Sequence, residues 1–360
     1  MSLLIIFNCL FINAFADGDS GYADELGIGS LYDYAPDETK DITGKLVTDG
    51  SYDHRGALNR LFNKTASAIE EAVRASVSQF TEILSLAVIC ALGVSFDHNG
   101  KSGRYISIIA SCACILISMD PLTGVISSME NAVDNVKMYS NIALPSLFVA
   151  SAAGGNIISG PAKFAAVSLS MDVITTAAAN ICKPLINAYL ALGVSGQISD
   201  NELITNMTKF AKWAAITVMS VLMIAFTAYI SLVGVISSTA DAAAVKAAKT
   251  VISTSLPVVG GIISDAAAAV LSSASLIKAS AGVFTLIASA SICVIPFISC
   301  TVKMLIFKAV SAISDGLGIQ KLAGTLNCIG TAIGLYCALL GSCGIMLFIS
   351  ISSALKVFTG

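Results

Sequence analysis

Apolar and polar positions divide the chain into one amphipathic stretch and a series of long uncharged runs. From Leu58, the residues Leu58, Leu61, Phe62, Ile69, Val73, Val77 and Phe80 recur at helical spacing, with Arg60, Lys64, Glu70, Glu71 and Arg74 on the other face. That spacing predicts an amphipathic helix that lies on a membrane or docks a partner. The uncharged runs Ala214 to Ile236, Ala279 to Val302 and Leu322 to Leu355 meet the roughly 20 residues that crossing a bilayer needs, and Ile83 to Phe96 and Tyr105 to Met119 are shorter candidates. Two further runs are interrupted. Met138 to Ala162 carries Pro145, Gly154, Gly155 and Gly160, and Phe164 to Leu192 carries Pro184, Asp172 and Lys183. Such interruptions survive in a bilayer only where neighbouring helices or a polar cavity satisfy the freed backbone groups.

An internal repeat orders these runs. Gly124-Val125-Ile126-Ser127-Ser128 recurs as Gly234-Val235-Ile236-Ser237-Ser238, and Leu144-Pro145, Gly154-Gly155, Ile157-Ile158-Ser159, Ile181-Cys182 and Ile198-Ser199-Asp200 are answered in order by Leu256-Pro257, Gly260-Gly261, Ile262-Ile263-Ser264, Ile292-Cys293 and Ile313-Ser314-Asp315. The offset stays between 105 and 115 residues. Two tandem units follow, residues 104–212 and 213–324, with a helix before and a helix after. If the Pro and Gly-Gly segments span, each unit crosses three times and the two are inverted, as in many transporters; if they re-enter, each crosses twice and the units are parallel. With the N-terminal segment outside, Lys101 and Arg104 fall inside, Asp120 to Lys137 outside, and Lys246 with Lys249 inside, which favours the inverted arrangement with about eight spans. Lys209 and Lys212 beside Trp213 would then lie outside.

Composition sets the class. Of 360 residues 56% are hydrophobic and only 12% charged, with a mean hydropathy of +0.84, against roughly 25% charged in soluble domains. The expected fold is therefore all-α, a polytopic integral membrane protein with broken or re-entrant helices. The net charge of -3 hides an asymmetry, since residues 17–79 hold six Lys/Arg and twelve Asp/Glu while 80–360 hold fourteen and eleven. Residues 1–16, apolar and ending Ala14-Phe15-Ala16, resemble an exported protein's signal peptide before an acidic extracytoplasmic segment over 17–79, although no Lys or Arg lies near Met1. The membrane domain then occupies 80–360. Nine of the ten cysteines lie in apolar helical stretches with no CxxC among them, and they read as small packing residues.

The candidate gate residues are Pro145, Gly154, Gly155 and Asp172 in the first unit and Pro257, Gly260, Gly261 and Asp265 in the second. Proline removes a backbone donor, Gly-Gly permits close approach, and Ser or Asp then offers a cap to the next helix. Pro161 suits a first helical position and Asp265 a capping acid before Ala266 to Ala269. These segments are either helix ends lining a passage or packing turns between helices. Asp172 and Lys183, eleven residues apart and roughly 16 Å along a helix, cannot pair with each other. Each is an intramembrane charge facing a partner or a cavity, and Lys183 can also snorkel. His54 and His98 stand apart, and HExxH, GxSxG and P-loop motifs are missing, so no catalytic, metal or cofactor site is expected and no nucleic-acid face is visible.

Asp120-Pro121-Leu122, Leu144-Pro145-Ser146-Leu147 and above all Leu256-Pro257-Val258-Val259-Gly260-Gly261-Ile262-Ile263-Ser264-Asp265 resemble the stage III sporulation protein AE family of endospore-forming bacteria. The resemblance covers roughly residues 56–355. It implies a subunit of the channel, or feeding tube, between mother cell and forespore, placed in the mother-cell membrane surrounding the forespore. The implied partners are a cytoplasmic secretion-type ATPase, other membrane subunits of the same channel and ring-forming proteins of the intermembrane space. The competing expectations are a secondary transporter acting alone through the repeat, with Asp172 at its substrate site, and a purely structural scaffold.

Overall fold

The computed structural model describes residues 37–43, 54–96, 102–153, 159–199, 201–255 and 260–356, with only the backbone described at 37–38, 54, 102, 104 and 146 and over 148–166, 233–281 and 353–356. These residues are almost wholly helical: α1 (Asp37–Thr43), α2 (His54–Ser95), α3 (Ser102–Ala153), α4 (Ser159–Ala177), a π-helical turn (Ala178–Cys182), α5 (Lys183–Ser199), α6 (Glu202–Ser255), α7 (Gly260–Gly316) and α8 (Gln320–Lys356). No strand occurs among them. An all-helical membrane body is what the lack of water in hydrocarbon demands, because a helix satisfies its backbone polar groups internally.

Six helical stretches among the described residues are long and apolar enough to cross a membrane: Arg55–Ser95, Tyr105–Pro145, Val167–Ser199, Glu202–Leu232, Gly282–Gly316 and Gln320–Ser352. The charge and periodicity pattern had pointed to about eight spans; part of that difference is that neighbouring runs are merged. The amphipathic stretch from Leu58 and the run Ile83 to Phe96 form the single helix α2, and α3 carries Tyr105 to Met119, the charged stretch after it and Pro145 in 52 continuous residues. At 1.5 Å per residue α3 is roughly 78 Å long, more than twice the hydrocarbon thickness. Residues 212 and 213, where the two sequence units meet, lie within α6.

Cross-helix contacts fix the helix directions. Between α7 and α8, the Ser311 hydroxyl donates to Ala323 O (2.8 Å), Lys308 reaches Asn327 and Thr331, the Cys300 thiol donates to Ile333 O (3.4 Å) and the Cys337 thiol to Phe297 O (3.7 Å). Falling numbers on α7 meet rising ones on α8, so the pair is antiparallel. On the other side of α8, Lys321 donates to Ile198 O (3.3 Å) and the Tyr336 hydroxyl to Asn187 Oδ1 (2.9 Å), which makes α5 antiparallel to α8 as well. Gly196 faces Ile204 and Thr205, and Gly193 faces Thr208, so α6 turns back along α5. Lys137 pairs with Asp172 and Asp134 with Lys183, which sets α3 antiparallel to α4 and α5. Consequently α3, α6 and α8 run one way and α5 and α7 the other. The out-and-back pairs α3 with α5 and α6 with α7 therefore run in the same orientation, which favours the parallel over the inverted reading of the loop charges.

Sharp local signals make the turns. Gly318 at φ +82° ends α7, and Gly318 N–H and Ile319 N–H bond back to Asp315 O and Ser314 O (both 3.0 Å), a Schellman motif that needs a residue without a Cβ penalty. Asn201 caps α6 by accepting the Leu203 N–H at 2.9 Å. Arg60 donates to Ile42 O (2.9 Å) and Thr43 O (3.3 Å), closing the C-terminal end of α1 against α2.

The core lies where α8 meets α7, α5 and α3. Leu322, Leu326, Ile333, Leu340, Leu347 and Ile351 of α8 are fully buried, as are Phe284, Ile287 and Val310 of α7. Hydrocarbon gives helices no hydrophobic incentive to associate, so contact depends on close packing and polar links. Glycines supply the closeness: a Cβ on Gly334 would meet Met304 Sδ at 2.9 Å, and one on Gly344 would meet Cys293 Sγ at 2.9 Å. The outer faces carry Leu116, Leu169, Val221, Ile224 and Leu232, as lipid-facing helices should. On α2 the expected apolar stripe docks only in part. Leu61 is buried and Leu58 and Phe80 are half-buried, while Phe62, Ile69, Val73 and Val77 stay exposed, because the small residues Ala57, Ala72, Ser76 and Ala87 make the inward face with Ile83.

Candidate functional site: a polar seam along α3

Glu130, Asp134 and Lys137 occupy positions i, i+4 and i+7 of α3 and so share one helix face. Opposite them lie α4, the π-turn and α5. Lys137 Nζ stands 3.3 Å from Asp172 Oδ1, and Lys183 Nζ stands 3.8 Å from Asp134 Oδ1. The Tyr336 hydroxyl donates to Asn187 Oδ1 at 2.9 Å, with the Glu130 carboxylate beside it. The result is a three-rung ladder tying α3 to both halves of the returning helix and to α8. Axial spacing explains the choice of lysines. Asp172 and Lys183 are roughly 16 Å apart along their helix while Asp134 and Lys137 are roughly 4.5 Å apart on theirs, so each rung needs a long flexible stem to close it.

The π-turn sits between the two acid and base rungs for a local reason. Pro184 has no N–H, and its ring would clash with the carbonyl four residues earlier, at Asn180. Widening the turn over Ala178–Cys182 moves that carbonyl away, and the Lys183 N–H bonds to Ala178 O, five residues back. The expected interruption of this run is thus a π-turn within a continuing helix. It also shifts Lys183 out of the α-helical register it would share with Asp172, which turns the two charges toward separate partners.

Burial is uneven along the ladder. The Lys183 side chain is only 14% exposed, whereas Asp134, Asp172 and Lys137 are well solvated. Solvated pairs are worth up to about 1 kcal/mol each; Lys183 matters more, because removing its partner leaves a charge that water reaches poorly. Ion pairs, amides and a phenol in this arrangement hold helices in register and can part and re-form. They offer no activated nucleophile.

The sequence-derived gate residues are placed as follows. Asp172 lies on the exposed face of α4 in the ladder. Pro145 does not end a helix: it is half-buried inside α3, which continues to Ala153, just as Pro121 and Pro296 are carried inside α3 and α7. Neighbouring helices make that tolerable in a membrane bundle. Gly260 and Gly261 open α7, so Asp265 falls in its second turn and does not cap it. Pro161 lies in the first turn of α4. Gly154, Gly155 and Pro257 are outside the described residues. Glu130, Asp134 and Lys137 were missed as site residues although their i, i+4, i+7 spacing is visible in the sequence.

The stage III sporulation protein AE family model matches residues 40–357. The chain belongs to this family. The match begins within α1 and takes in every described helix after it, so the whole seam and both returning units are family structure. No curated protein and no solved structure matched the chain. It is therefore a sporulation protein whose fold is a bundle of membrane-length helices.

Proposed function

We propose that this chain is a non-enzymatic membrane component of the channel, or feeding tube, joining mother cell and forespore, in the mother-cell membrane surrounding the forespore. Its partners in that specialised secretion-like complex are a cytoplasmic secretion-type ATPase, further membrane subunits and ring-forming proteins of the intermembrane space. The observation that carries the reading is the family match over residues 40–357, joined to six membrane-length helices. Arg104 is the third residue of α3, and Lys209, Lys212, Lys308 and Lys321 lie within three turns of where α6 and α8 begin and α7 ends, against Glu202 and Asp315; that end is cytoplasmic by the excess of positive charge. The start of α2, following the acidic N-terminal segment, then faces the intermembrane space.

In this reading each returning unit is a hairpin whose far end carries the Pro and Gly-Gly residues, Pro145 with Gly154 and Gly155 in one, Pro257 with Gly260, Gly261 and Asp265 in the other. The matching order of elements, long helix, break, returning helix and turn, supports two units of common design. The polar seam is the part that can open and close, with the π-turn as its bending point. A stand-alone secondary transporter with inverted repeats loses its main support, since α5 and α7 run in the same direction.

The deciding experiment is complementation. In a spore former lacking its own family member, this chain restores forespore gene expression after engulfment, and Gly260→Val with Gly261→Val abolishes that rescue while the protein still accumulates in the membrane. Rescue failing for the unaltered, correctly inserted chain would reject the channel role; full rescue by the valine variants would reject the gate.

A further inference from the structure

At the basic end, α8 forms the floor between α6 and α7, and two lysines flank it without a carboxylate. Lys308 of α7 lays its stem over Gly330, where a Cβ would come within 3.3 Å of Lys308 Cγ, and its ammonium is held by Asn327 Oδ1 and by Thr331 Oγ1 at 2.6 Å. A Cβ on Gly193 would meet both Thr208 of α6 and Cys328 of α8 at 3.3 Å, so the start of α6 lies along α8, and Lys212, one helical turn beyond Thr208, has its charge felt at Lys308 and Cys328. The Tyr189 hydroxyl of α5 bonds to Thr331 and Cys328 beside them. Elsewhere Lys137, Lys183 and Lys64 each face an aspartate; among the described residues Lys212 and Lys308 have no such partner. Lys308 directs its three N–H bonds to Asn327 O (3.4 Å), Asn327 Oδ1 and Thr331 Oγ1, all of them neutral, so its charge stays uncompensated, and with Lys212 it makes a positive patch that an anion would neutralise.

Its depth identifies the anion's source. Lys212, Lys308 and Asn327 each lie two to three turns in from the helix end, where the uncharged runs Ala214 to Ile236 and Leu322 to Leu355 begin on two of the helices and charge thins out on the third. Trp213 and Phe210, 61% and 64% exposed with ring centroids 5.8 Å apart, sit at the same level on α6. Aromatic rings and lysines at the edge of an uncharged run mark the headgroup layer, and basic pockets between membrane helices on the cytoplasmic side hold anionic lipid headgroups.

We propose that Lys212 and Lys308, with Asn327 and Thr331 as the floor, bind the phosphate of an anionic phospholipid of the cytoplasmic leaflet. The lipid's acyl chains lie along the exposed apolar face of α6 beyond Trp213. The test is native mass spectrometry of the full chain released from nanodiscs of phosphatidylcholine with phosphatidylglycerol or cardiolipin. One anionic lipid per chain is expected to survive release. Retention should fall roughly 30-fold in Lys212→Gln/Lys308→Gln and persist in Lys212→Arg/Lys308→Arg, which keeps the charge and controls for folding. Equal retention of phosphatidylcholine, or retention unchanged by the glutamine pair, overturns the proposal. So does displacement of the lipid by millimolar inorganic phosphate, since the site would then serve a soluble anion.

Discussion

Gly344 and Gly334 set how closely α7 and α8 approach, but their neighbours differ in what they can concede. A methyl group on Gly344 meets the short Cys293 side chain, while one on Gly334 meets the sulfur of Met304, which can swing aside. Gly344→Ala is therefore expected to destabilise by about 1–3 kcal/mol, with Gly334→Ala costing clearly less. At Gly341 the nearest atom, Phe297 Cε2, is 3.5 Å away, so Gly341→Ala should be neutral. Thermal unfolding of the three variants in detergent checks the order; equal effects would mean that the α7 and α8 contact is looser than described. The ladder gives a second test at this scale. Asp134→Ala leaves the nearly buried Lys183 unpaired and is expected to cost about 1–3 kcal/mol, whereas Lys137→Ala frees the solvated Asp172 and costs up to about 1 kcal/mol. The same unfolding measurement decides between this ranking and its reverse. Of these residues, Asp172 and Lys183 stand out in the sequence because charges are scarce in apolar runs. Their partners do not, because only the packing of α3 reveals which helix they meet.

At the scale of elements, sequence reading recovers helices well and their ends poorly. Uncharged runs locate the membrane helices because nothing else in a chain this apolar can cross lipid. Pro145 looks like a break, yet α3 passes through it as it does through Pro121, since proline costs one donor and a bundle can absorb that loss. Asp265 looks like a cap, yet α7 has already begun at Gly260. On α2 the large apolar side chains promise the docking face, but the small residues beside them allow the closer approach and win it. The π-turn is where this scale makes a prediction. Deleting Ala179 restores α-helical spacing and rotates Lys183 by about 100° relative to Asp172. A cysteine pair at positions 134 and 183 should be joined by a short bis-maleimide in the parent and not in the deletion, and the Ala179 deletion alone should lose rescue of sporulation. Cross-linking that survives the deletion would show that the extra residue does not aim Lys183.

At the scale of the molecule, the directions in which the long helices run were not legible in the sequence. Offsets between 105 and 115 residues suggest two related units, but which helices turn back is fixed by tertiary contacts such as Lys321 on Ile198 and Ser311 on Ala323. With α5 and α7 both antiparallel to α8, the basic turns around Asn201 and Leu317 fall at one end of the bundle, and the two returning helices start together at the other. Single-cysteine accessibility in intact cells, on a cysteine-free background, tests this most directly. Cysteines at Ser159 and Gly260, which open α4 and α7, are predicted to react alike with an impermeant maleimide from outside, and those at Asn201 and Leu317 only after permeabilisation. Labelling of Ser159 and Gly260 from opposite sides would contradict the parallel arrangement and restore the inverted one.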